Sequence, residues 1–496
     1  MNIRKLALFV GAAMAAACLA SPDLACAQRV RGPVTGGGGY HGGGGWGGAG
    51  LAGFGVGVVT GIIASQPPAG GTVVDEPPPH GSRNAGPRQP ARTSGIPPAG
   101  ETRMVPDEVV IELPNTTPQR TIAAIQRRFR LAALESRRDD LLGTTFYRWR
   151  IPDRRAVATV IRALDADRRI ASAQPNYLFT LQQTAEGKPE PAKAKTEPAT
   201  AAGAAPAKPA EGDPAQYAVS RMHLPEAHAI AKGDNVLVAV IDSGVDVTQP
   251  ELAGSIAETF DTLSTPFAPH SHGTAIAALI AGHSRLMGSA PGARILAVRA
   301  FDPAGNTAEA TTFNIMKGID WAVTHHARII NMSFAGPADP AIHRSLVAAH
   351  RKGVVLIAAA GNAGPKSPPL YPAAEPEVIA VTATDSSDKV FDGANRGRQI
   401  AIAAPGVDIL IAVPNGGYEV STGTSYSSAE VSGIAALMLQ HEPHLKPDQV
   451  RAILLATAKD LGKKGRDDDY GAGLIDAFRA VGDVPGERVS TAAPTR

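Results

Sequence analysis

The chain has 496 residues, of which 44% are hydrophobic, so it is longer than one ordinary domain and has enough apolar side chains for a sizeable core. Its 48 basic and 46 acidic side chains leave a formal net charge of +2, which argues against a dedicated nucleic-acid partner. Both cysteines, Cys18 and Cys26, lie in a leader-like segment. Removal of that segment would exclude a cysteine protease, a disulfide and a thiolate zinc site.

Residues 1–27 have the pattern of a secretory signal peptide. Arg4-Lys5 supplies the positive region, residues 6–20 form a short apolar run, and Ala25-Cys26-Ala27 offers a small-x-small cleavage site. A membrane-spanning helix is one alternative, but the run is shorter than the ~20 residues that a span needs. A lipoprotein-type signal around Cys18 is another. We expect a secreted protein, either periplasmic or extracellular.

Residues 28–102 form a low-complexity region, which is glycine-rich over Gly36–Gly61 and proline-rich over Pro67–Pro98. Such segments bury too little side-chain area to offset the entropy of ordering them. The uncharged part, Gly47–Ser65, suggests membrane contact as a glycine-packed helix. A flexible spacer is the interpretation that we favour for it.

Ordered structure is predicted to return over residues 103–182. Three strand patterns alternate with two helix patterns, at 108–113, 121–129, 145–151, 154–164 and 170–181. This succession has the β-α-β-β-α-β character of a small ferredoxin-like α+β domain. Its many arginines are interleaved with aspartate and glutamate, which favours a solvated face over a basic binding patch.

Residues 183–214 are predicted to be a linker, because Ala, Pro, Lys and Glu dominate without apolar periodicity. Residues 215–482 follow as the largest unit, and residues 483–496 form a tail. Buried-strand patterns in the large unit lie at 236–241, 295–298, 329–332, 354–359 and 378–381. Helix patterns such as 308–326 and 340–352 separate several of them. We therefore expect an α/β fold, with a mostly parallel sheet and helices on both of its faces.

Three segments of the large unit place reactive side chains at strand ends or helix starts, where α/β folds gather their chemistry. Asp242 ends an apolar strand pattern, His272 lies in His270-Ser-His-Gly-Thr274, and Ser425 lies in Ser421-Thr-Gly-Thr-Ser-Tyr-Ser-Ser428. Acyl transfer by serine needs an imidazole to take the hydroxyl proton and an acid to fix the tautomer of that imidazole. The three residues can fill these roles.

Each of the three residues alone has a structural explanation: Asp242 as a turn residue, His272 as a polar cap, and Ser425 as a helix N-cap. Their order along the chain, Asp then His then Ser, is that of subtilisin and differs from the orders of chymotrypsin and the α/β-hydrolases. If the three residues were only structural, three independent coincidences would be needed to place them in that order. We therefore interpret the set as a catalytic triad.

The motifs around these residues resemble the signature segments of the subtilase family of serine endopeptidases. The matching segments are Ala239-Val-Ile-Asp-Ser-Gly244, His272-Gly-Thr274, Gly423-Thr-Ser425 and Ala358-Ala-Ala-Gly-Asn362. The resemblance implies an oxyanion hole formed by the Asn362 side-chain amide and the Ser425 backbone N–H. It extends over most of residues 216–482.

The resemblance also implies a set of substrate-binding residues: Ser333, Phe334, Ala335, Ala360 and Gly361. The first three would pair through their backbone with an extended peptide, as an edge strand does. The other two would wall the pocket for the residue before the scissile bond. No cofactor is expected for the chemistry. Structural calcium is frequent in the family, but no liganding loop can be named in this sequence.

The sequence departs from the family pattern at several positions. Ala275 stands where His is usual, Tyr426 where Met is common, Ala429-Glu430 where Pro-His is usual, and Ala335 where Gly is usual. None of these changes removes a triad group or an oxyanion donor. The added bulk of Ala335 and Tyr426 bears on substrate preference and rate.

Residues 103–182 resemble a subtilase propeptide through their position and through Ala173-Gln-Pro-Asn-Tyr177. The resemblance implies a folding aid and intramolecular inhibitor that self-cleavage removes, and we expect everything before about Gln216 to be lost. Proteins or peptides are the expected substrates, with no nucleic-acid partner.

Two alternatives to an active endopeptidase remain. One is a scaffold that kept the fold and lost turnover, and reaction of Ser425 with a fluorophosphonate probe would separate the two. The other is a secreted esterase with the same triad, which a strand-like substrate site disfavours.

Overall fold

The computed structural model describes residues 95–181, 212–303 and 308–483. The predicted signal peptide, the glycine-rich segment, most of the linker and the tail lie outside these residues. Among the described helices, none has the length and apolar character needed to cross a membrane.

The amino-terminal unit, residues 95–181, folds in the order β-α-β-β-α-β. Its elements are β1 (Met104–Pro114), α1 (Gln119–Phe129), β2 (Ala132–Asp139), β3 (Thr144–Arg150), α2 (Val157–Asp165) and β4 (Ser172–Leu181). The strands lie antiparallel in the order β4-β1-β3-β2. The sequence pattern did not locate β2, because this edge strand is mostly exposed and carries no apolar alternation.

One face of this small sheet is covered by its two helices. α1 buries Ile122, Ile125 and Phe129, and α2 buries Val160 and Leu164 among others. This spacing of three or four residues places the apolar side chains on one side of each helix. They form one hydrophobic cluster with the sheet, and the other face of the sheet is left for the rest of the chain.

The second unit, residues 212–303 and 308–483, carries the three residues of the predicted triad and is therefore called the catalytic unit. Besides a short 3-10 helix, Pro250–Leu252, it contains eight α-helices and eleven strands among its described residues. Its helices are α3 (Tyr217–Arg221), α4 (Leu224–His228), α5 (Ser271–Ala281), α6 (Thr312–Thr324), α7 (Pro340–Arg351), α8 (Thr424–His441), α9 (Pro447–Thr457) and α10 (Ala477–Gly482). Its strands are β5 (Leu237–Asp242), β6 (Ile256–Asp261), β7 (Arg294–Arg299), β8 (Glu309–Thr311), β9 (Ile329–Met332), β10 (Phe334–Ala335), β11 (Val355–Ala359), β12 (Val378–Thr384), β13 (Ile400–Pro405), β14 (Ile409–Val413) and β15 (Gly417–Ser421).

Seven strands of the catalytic unit form a parallel sheet in the order β13-β12-β11-β9-β5-β7-β6. Alternate side chains of β5 enter different cores. Val238 and Val240 pack in the cluster that contains the buried residues of α5 and α8, whereas Ala239 and Ile241 pack in the cluster of α6 and α7. The predicted α/β fold, with helices on both faces of a parallel sheet, is confirmed.

The helix predicted over 308–326 begins later than expected. Residues Glu309–Thr311 form β8, and α6 begins at Thr312. The partner of β8 is β4 of the amino-terminal unit, with Phe179 opposite Ala310. A three-residue strand whose partner lies in another unit leaves no periodicity that could be recognised in the sequence.

The carboxyl end of β4 is shared by both units. It pairs antiparallel with β8 on one side, and on its other side it pairs with β10, where Thr180 lies opposite Ala335 and Leu181 opposite Phe334. The end of the amino-terminal unit is therefore a central strand between two short strands of the catalytic unit.

Candidate active site

Asp242 and His272 are brought together at the carboxyl edge of the parallel sheet. Asp242 is the last residue of β5, and His272 lies in the first turn of α5. His272 Nδ1 lies 2.9 Å from Asp242 Oδ1 and 3.0 Å from Oδ2, and both side chains are only 1% exposed. An ionised carboxylate can only accept, so Nδ1 carries the proton of this bond. In the neutral imidazole Nε2 is then the basic nitrogen.

Further hydrogen bonds hold the Asp242 carboxylate. The backbone N–H of Ser243 donates to Oδ1 at 2.8 Å, and the Ser243 hydroxyl donates to the same oxygen at 3.0 Å. A buried charge needs such donors, because it has lost its hydration. The Asp242 backbone carbonyl accepts from Ala300 and Phe301, at 2.8 and 3.1 Å, which anchors this strand end to the segment after β7.

Ser425 lies in the first turn of α8 and is fully buried. Its hydroxyl donates to the Ser333 carbonyl at 3.4 Å. His272 Nε2 is buried and has no hydrogen-bond partner among the described residues, so the link from His272 to the Ser425 hydroxyl is not closed in this structure. Such catalytic hydrogen bonds are often long until substrate is bound. The ring of Tyr426, the next residue, has its centroid 6.1 Å from that of His272.

The Asn362 side chain is oriented by the residue before Ser425. Asn362 Oδ1 accepts from the Thr424 backbone N–H at 3.1 Å and from its hydroxyl at 2.9 Å. The Thr424 hydroxyl also accepts from the Gly361 backbone N–H at 3.1 Å. These bonds fix the amide with its NH2 group turned away from Thr424. Sequence reasoning did not single out Thr424, although it lies inside the Gly-Thr-Ser motif.

The residues predicted to bind substrate lie in two places. Phe334 and Ala335 form β10 and are paired with the end of β4, so this chain itself occupies the strand-binding edge. Ser333 is fully buried, and its hydroxyl bonds to Asn331 Nδ2 at 2.8 Å and Ser428 Oγ at 3.0 Å. Ala360 follows β11, and its N–H donates to the Val381 carbonyl at 2.9 Å.

A pocket beside β10 holds an aromatic side chain from β4. Phe179 is fully buried, and its ring meets that of Phe334 edge-on at 6.0 Å. A Cβ atom on Gly336 would lie 2.3 Å from the Phe179 ring, so this glycine makes room for the ring. The edge at β10 therefore has room for a large apolar side chain at this point.

The departures from the family pattern are accommodated in the helix after Ser425. Tyr426 donates its hydroxyl to Ser421 Oγ at 2.8 Å, and burial raises its pKa to about 12, so the phenol is neutral. Glu430 is buried on the same helix. Burial raises its pKa to about 8, against a weaker opposing effect of a hydrogen bond with Ser289. Glu430 is therefore mainly protonated at neutral pH, which removes the cost of a buried charge.

One cluster among the described residues has the composition of a cation site. Donor atoms of His343, Glu375 and Glu377 lie within 4.8 Å of one another, but His343 Nδ1 and Glu375 Oε2 already share a bond of 2.6 Å. Calcium prefers an all-oxygen shell, and this cluster includes an imidazole. This cluster therefore does not identify the structural calcium site that the resemblance suggested. Structural calcium stays a prediction.

His270 is a second residue that sequence reasoning missed. It is the N-cap of α5, and its Nδ1 lies 3.3 Å from the His272 backbone N and 2.9 Å from Ser243 Oγ. The sequence offered one signal for His270, because this residue lies two positions before His272 at a predicted helix start.

Comparisons with known proteins agree with this geometry. Residues 233–473 match the model of the subtilase family. Subtilisin E of Bacillus subtilis (strain 168) is 37% identical over 275 residues, which cover 53% of this chain and 71% of the relative. Thermitase of Thermoactinomyces vulgaris is 33% identical over 274 residues, 54% of this chain and 95% of the relative.

A solved structure also matches this chain. The crystal structure of fervidolysin from Fervidobacterium pennivorans, a keratinolytic enzyme related to subtilisin, matches with a TM-score of 0.65 and 25% identity. The match covers 79% of this chain and 63% of that chain. It takes in more of this chain than the 53% covered by the match to subtilisin E.

Proposed function

The chain belongs to the subtilase family of serine endopeptidases, and on that premise we propose an exported enzyme that processes itself and cuts extended peptide segments with Asp242, His272 and Ser425. The observation that carries this proposal is the buried hydrogen bond between His272 Nδ1 and Asp242 at the carboxyl edge of the parallel sheet. Ser425 lies in the first turn of α8. The signal-like residues 1–27 support export.

In the proposed reaction the Ser425 hydroxyl attacks the carbonyl carbon of the scissile peptide bond. His272 Nε2 takes the hydroxyl proton, and Asp242 holds the tautomer and stabilises the imidazolium that results. Collapse of the tetrahedral intermediate expels the amine, which receives the proton from His272, and leaves an acyl-enzyme. Water then attacks the acyl group with the same proton transfers and releases the acid product and Ser425.

Negative charge on the carbonyl oxygen is stabilised by the Asn362 NH2 group and the Ser425 backbone N–H. The bonds from Thr424 to Asn362 Oδ1 support this role, because a donor that is oriented before the reaction needs no reorganisation when the charge develops. One such donor contributes about 3 kcal/mol to transition-state stabilisation.

The amino-terminal unit is proposed to inhibit the enzyme until it is cut away. Its strand β4 pairs with β10, the strand predicted to hold substrate, and places Phe179 in the adjoining pocket. Backbone pairing of this kind is how an extended peptide binds to a sheet edge. A polypeptide that fills the edge before substrate arrives competes with substrate directly.

Polar contacts of the same strand support a role in folding. Gln174 Oε1 accepts from the Ala341 N–H at 2.9 Å in the first turn of α7. Asn176 Oδ1 accepts from the Phe313 N–H at 3.2 Å in the first turn of α6. The first N–H groups of a helix have no partner inside the helix, so these two side chains stabilise the ends of both helices that face the amino-terminal unit.

Self-processing is tested by comparing the wild-type protein with Ser425→Ala after export. The wild-type protein should lose its amino-terminal unit and hydrolyse a peptide substrate, while Ser425→Ala should stay full length and inactive. We expect the first cut just beyond Leu181, because the carbonyl that contacts Ser425 belongs to Ser333, one residue past the last pair of the β4–β10 ladder. Further trimming would then remove the linker up to about Gln216.

Mass spectrometry of the mature amino terminus locates the cuts, and a fluorophosphonate probe reports whether Ser425 is reactive. Full-length wild-type protein with full activity would contradict self-processing. A wild-type protein that neither hydrolyses peptides nor reacts with the probe would instead support the scaffold alternative.

A further inference from the structure

We propose that His270 is a positioning residue of the active site, which acts on Asp242 through the Ser243 hydroxyl and makes hydrolysis depend on the protonation state of a second imidazole. The proposal rests on the endopeptidase function proposed above. His270 is not a member of the triad, because it acts on Asp242 through Ser243 and needs no direct contact with a triad side chain.

A chain of polar contacts runs from His270 to one oxygen of Asp242. His270 Nδ1 lies 2.9 Å from Ser243 Oγ, and Ser243 Oγ donates to Asp242 Oδ1 at 3.0 Å. The same oxygen lies 2.9 Å from His272 Nδ1. Ser243 has a single hydroxyl proton and gives it to Asp242, so its contact with His270 becomes a hydrogen bond only when His270 Nδ1 carries a proton.

His270 also fixes the backbone that carries His272. As the N-cap of α5 it accepts from the His272 N–H at 3.3 Å through Nδ1. This bond requires a lone pair on Nδ1, and therefore a neutral ring with its proton on Nε2. The neutral form of His270 thus holds His272 at the helix start.

Protonation of His270 reverses these roles. With a proton on each ring nitrogen, Nδ1 can only donate, so the His272 N–H loses its acceptor and Ser243 Oγ accepts from His270. The Ser243 proton remains directed to Asp242, so the charge of His270 is linked to that carboxylate through a complete chain of hydrogen bonds. The new cation competes with the His272 imidazolium for the same carboxylate, so it opposes the charge that His272 must take up in the transition state.

The charged groups that act on His270 come from two neighbouring elements. Asp242 at the end of β5 favours the protonated form, and His272 on α5 opposes it. Arg299 on β7 is paired with Asp261 at 2.8 Å and donates to the backbone carbonyls at 265–266, and it is not among the charged groups that shift the pKa of His270. Burial is the largest effect and lowers the pKa of His270 from its ordinary value of 6.5, so His270 gains its proton on the acid side of neutrality.

The test is the pH dependence of kcat/KM for a peptide substrate, measured with processed wild-type enzyme and with His270→Asn. The asparagine can still cap α5 with its oxygen and donate to Ser243 with its NH2 group, but it has no proton to gain. For the wild type we expect log(kcat/KM) to fall toward acid pH with a limiting slope of two, because protonation of either histidine lowers activity. For His270→Asn we expect a slope of one.

His283 provides the matched control. It is exposed and lies just after the other end of α5, where its ring bonds to the Ala281 and Ala253 carbonyls. His283→Asn should keep the wild-type slope. A slope of one in the wild type, or a slope of two in His270→Asn, overturns the proposal.

A second measurement covers the case in which His270→Asn is inactive at every pH. Imidazole NMR titrations of the Ser425→Ala protein should show coupled curves for His270 and His272, and independent curves would overturn the proposal. Absence of hydrolysis and of fluorophosphonate labelling in the wild type contradicts the proposed function instead, so the two failures are distinguishable.

Discussion

Apolar packing holds both the triad and the contact between the two units, but the contact also depends on other interactions. Asp242, His272 and Ser425 are at most 2% exposed, and they lie on elements packed in apolar clusters on both sides of one sheet. The amino-terminal unit contacts the catalytic unit through apolar side chains such as Phe179, which lies in the same cluster as α6 and α7, and adds short strand pairings and ion pairs. Under the proposed self-processing, the packing around the triad must persist through every turnover, whereas the contact between the units must come apart once the chain is cut.

Two ion pairs join the amino-terminal unit to the catalytic unit. Arg137 pairs with Asp320 at 3.0 Å, and Arg344 pairs with Glu112 at 2.7 Å. The arginine side chains remain 28% and 27% exposed, whereas the carboxylates of Asp320 and Glu112 are only 4% and 10% exposed. Separation of the two units therefore requires these carboxylates to regain their hydration.

The largest effect is expected inside the catalytic unit. Asn362→Ala should lower kcat about 100- to 1000-fold with little change in KM, which is the loss known for removal of an oxyanion-hole donor from subtilisin. Steady-state kinetics on a peptide substrate measure the effect. A variant altered only in KM would mean that Asn362 binds ground-state substrate alone.

A smaller effect is expected at the contact between the units. Asn176 is fully buried, accepts from Phe313 N–H and donates to Glu108 at 2.8 Å. Asn176→Ala should raise the inhibition constant of the released amino-terminal chain about tenfold, since loss of a helix cap costs roughly 1 kcal/mol and leaves a buried group unpaired. Arg120→Ala, at an exposed position of α1, is the control. An unchanged constant would show that β4 binds through its backbone alone.

The last effect, on stability rather than on activity or binding, is a pH dependence of the precursor. Burial, with a further contribution from Asp320, raises the pKa of Asp139 from 3.8 to about 7, although a hydrogen bond from Leu142 N–H opposes the shift. The folded protein holds this proton more tightly than the unfolded chain, so the stabilisation is complete below about pH 4 and is lost as pH rises through about 7.

Asp139→Asn should remove this part of the pH dependence, because the amide can still accept from Leu142 but cannot ionise. Thermal unfolding of the Ser425→Ala precursor between pH 4 and 8 measures it, with Asp139→Asn in the same background as the comparison. Glu430, whose pKa is also raised, is present in both proteins, so its contribution to the pH dependence of Tm cancels in the comparison. Parallel curves of Tm against pH would contradict the prediction.

The sequence alone determined the fold class and proposed the triad. Buried parallel strands appear as continuous apolar runs, such as Val238–Ile241, and Asp242 follows directly from the end of that run. The motifs around His272 and Ser425 are local as well, because a helix start constrains only a few consecutive residues. Patterns of this range can be recognised without knowing what lies across the molecule.

Only the tertiary structure decided which groups meet across the molecule. The insertion of β4 between β8 and β10, the bonds from Thr424 to Asn362, and the link from His270 through Ser243 to Asp242 all join segments that are distant in sequence. Strand propensity depends on the neighbour rather than on the residue itself, and for this reason the three residues of β8 were predicted as helix. Hydrogen bonds between side chains likewise depend on angles and distances that only the packed units set.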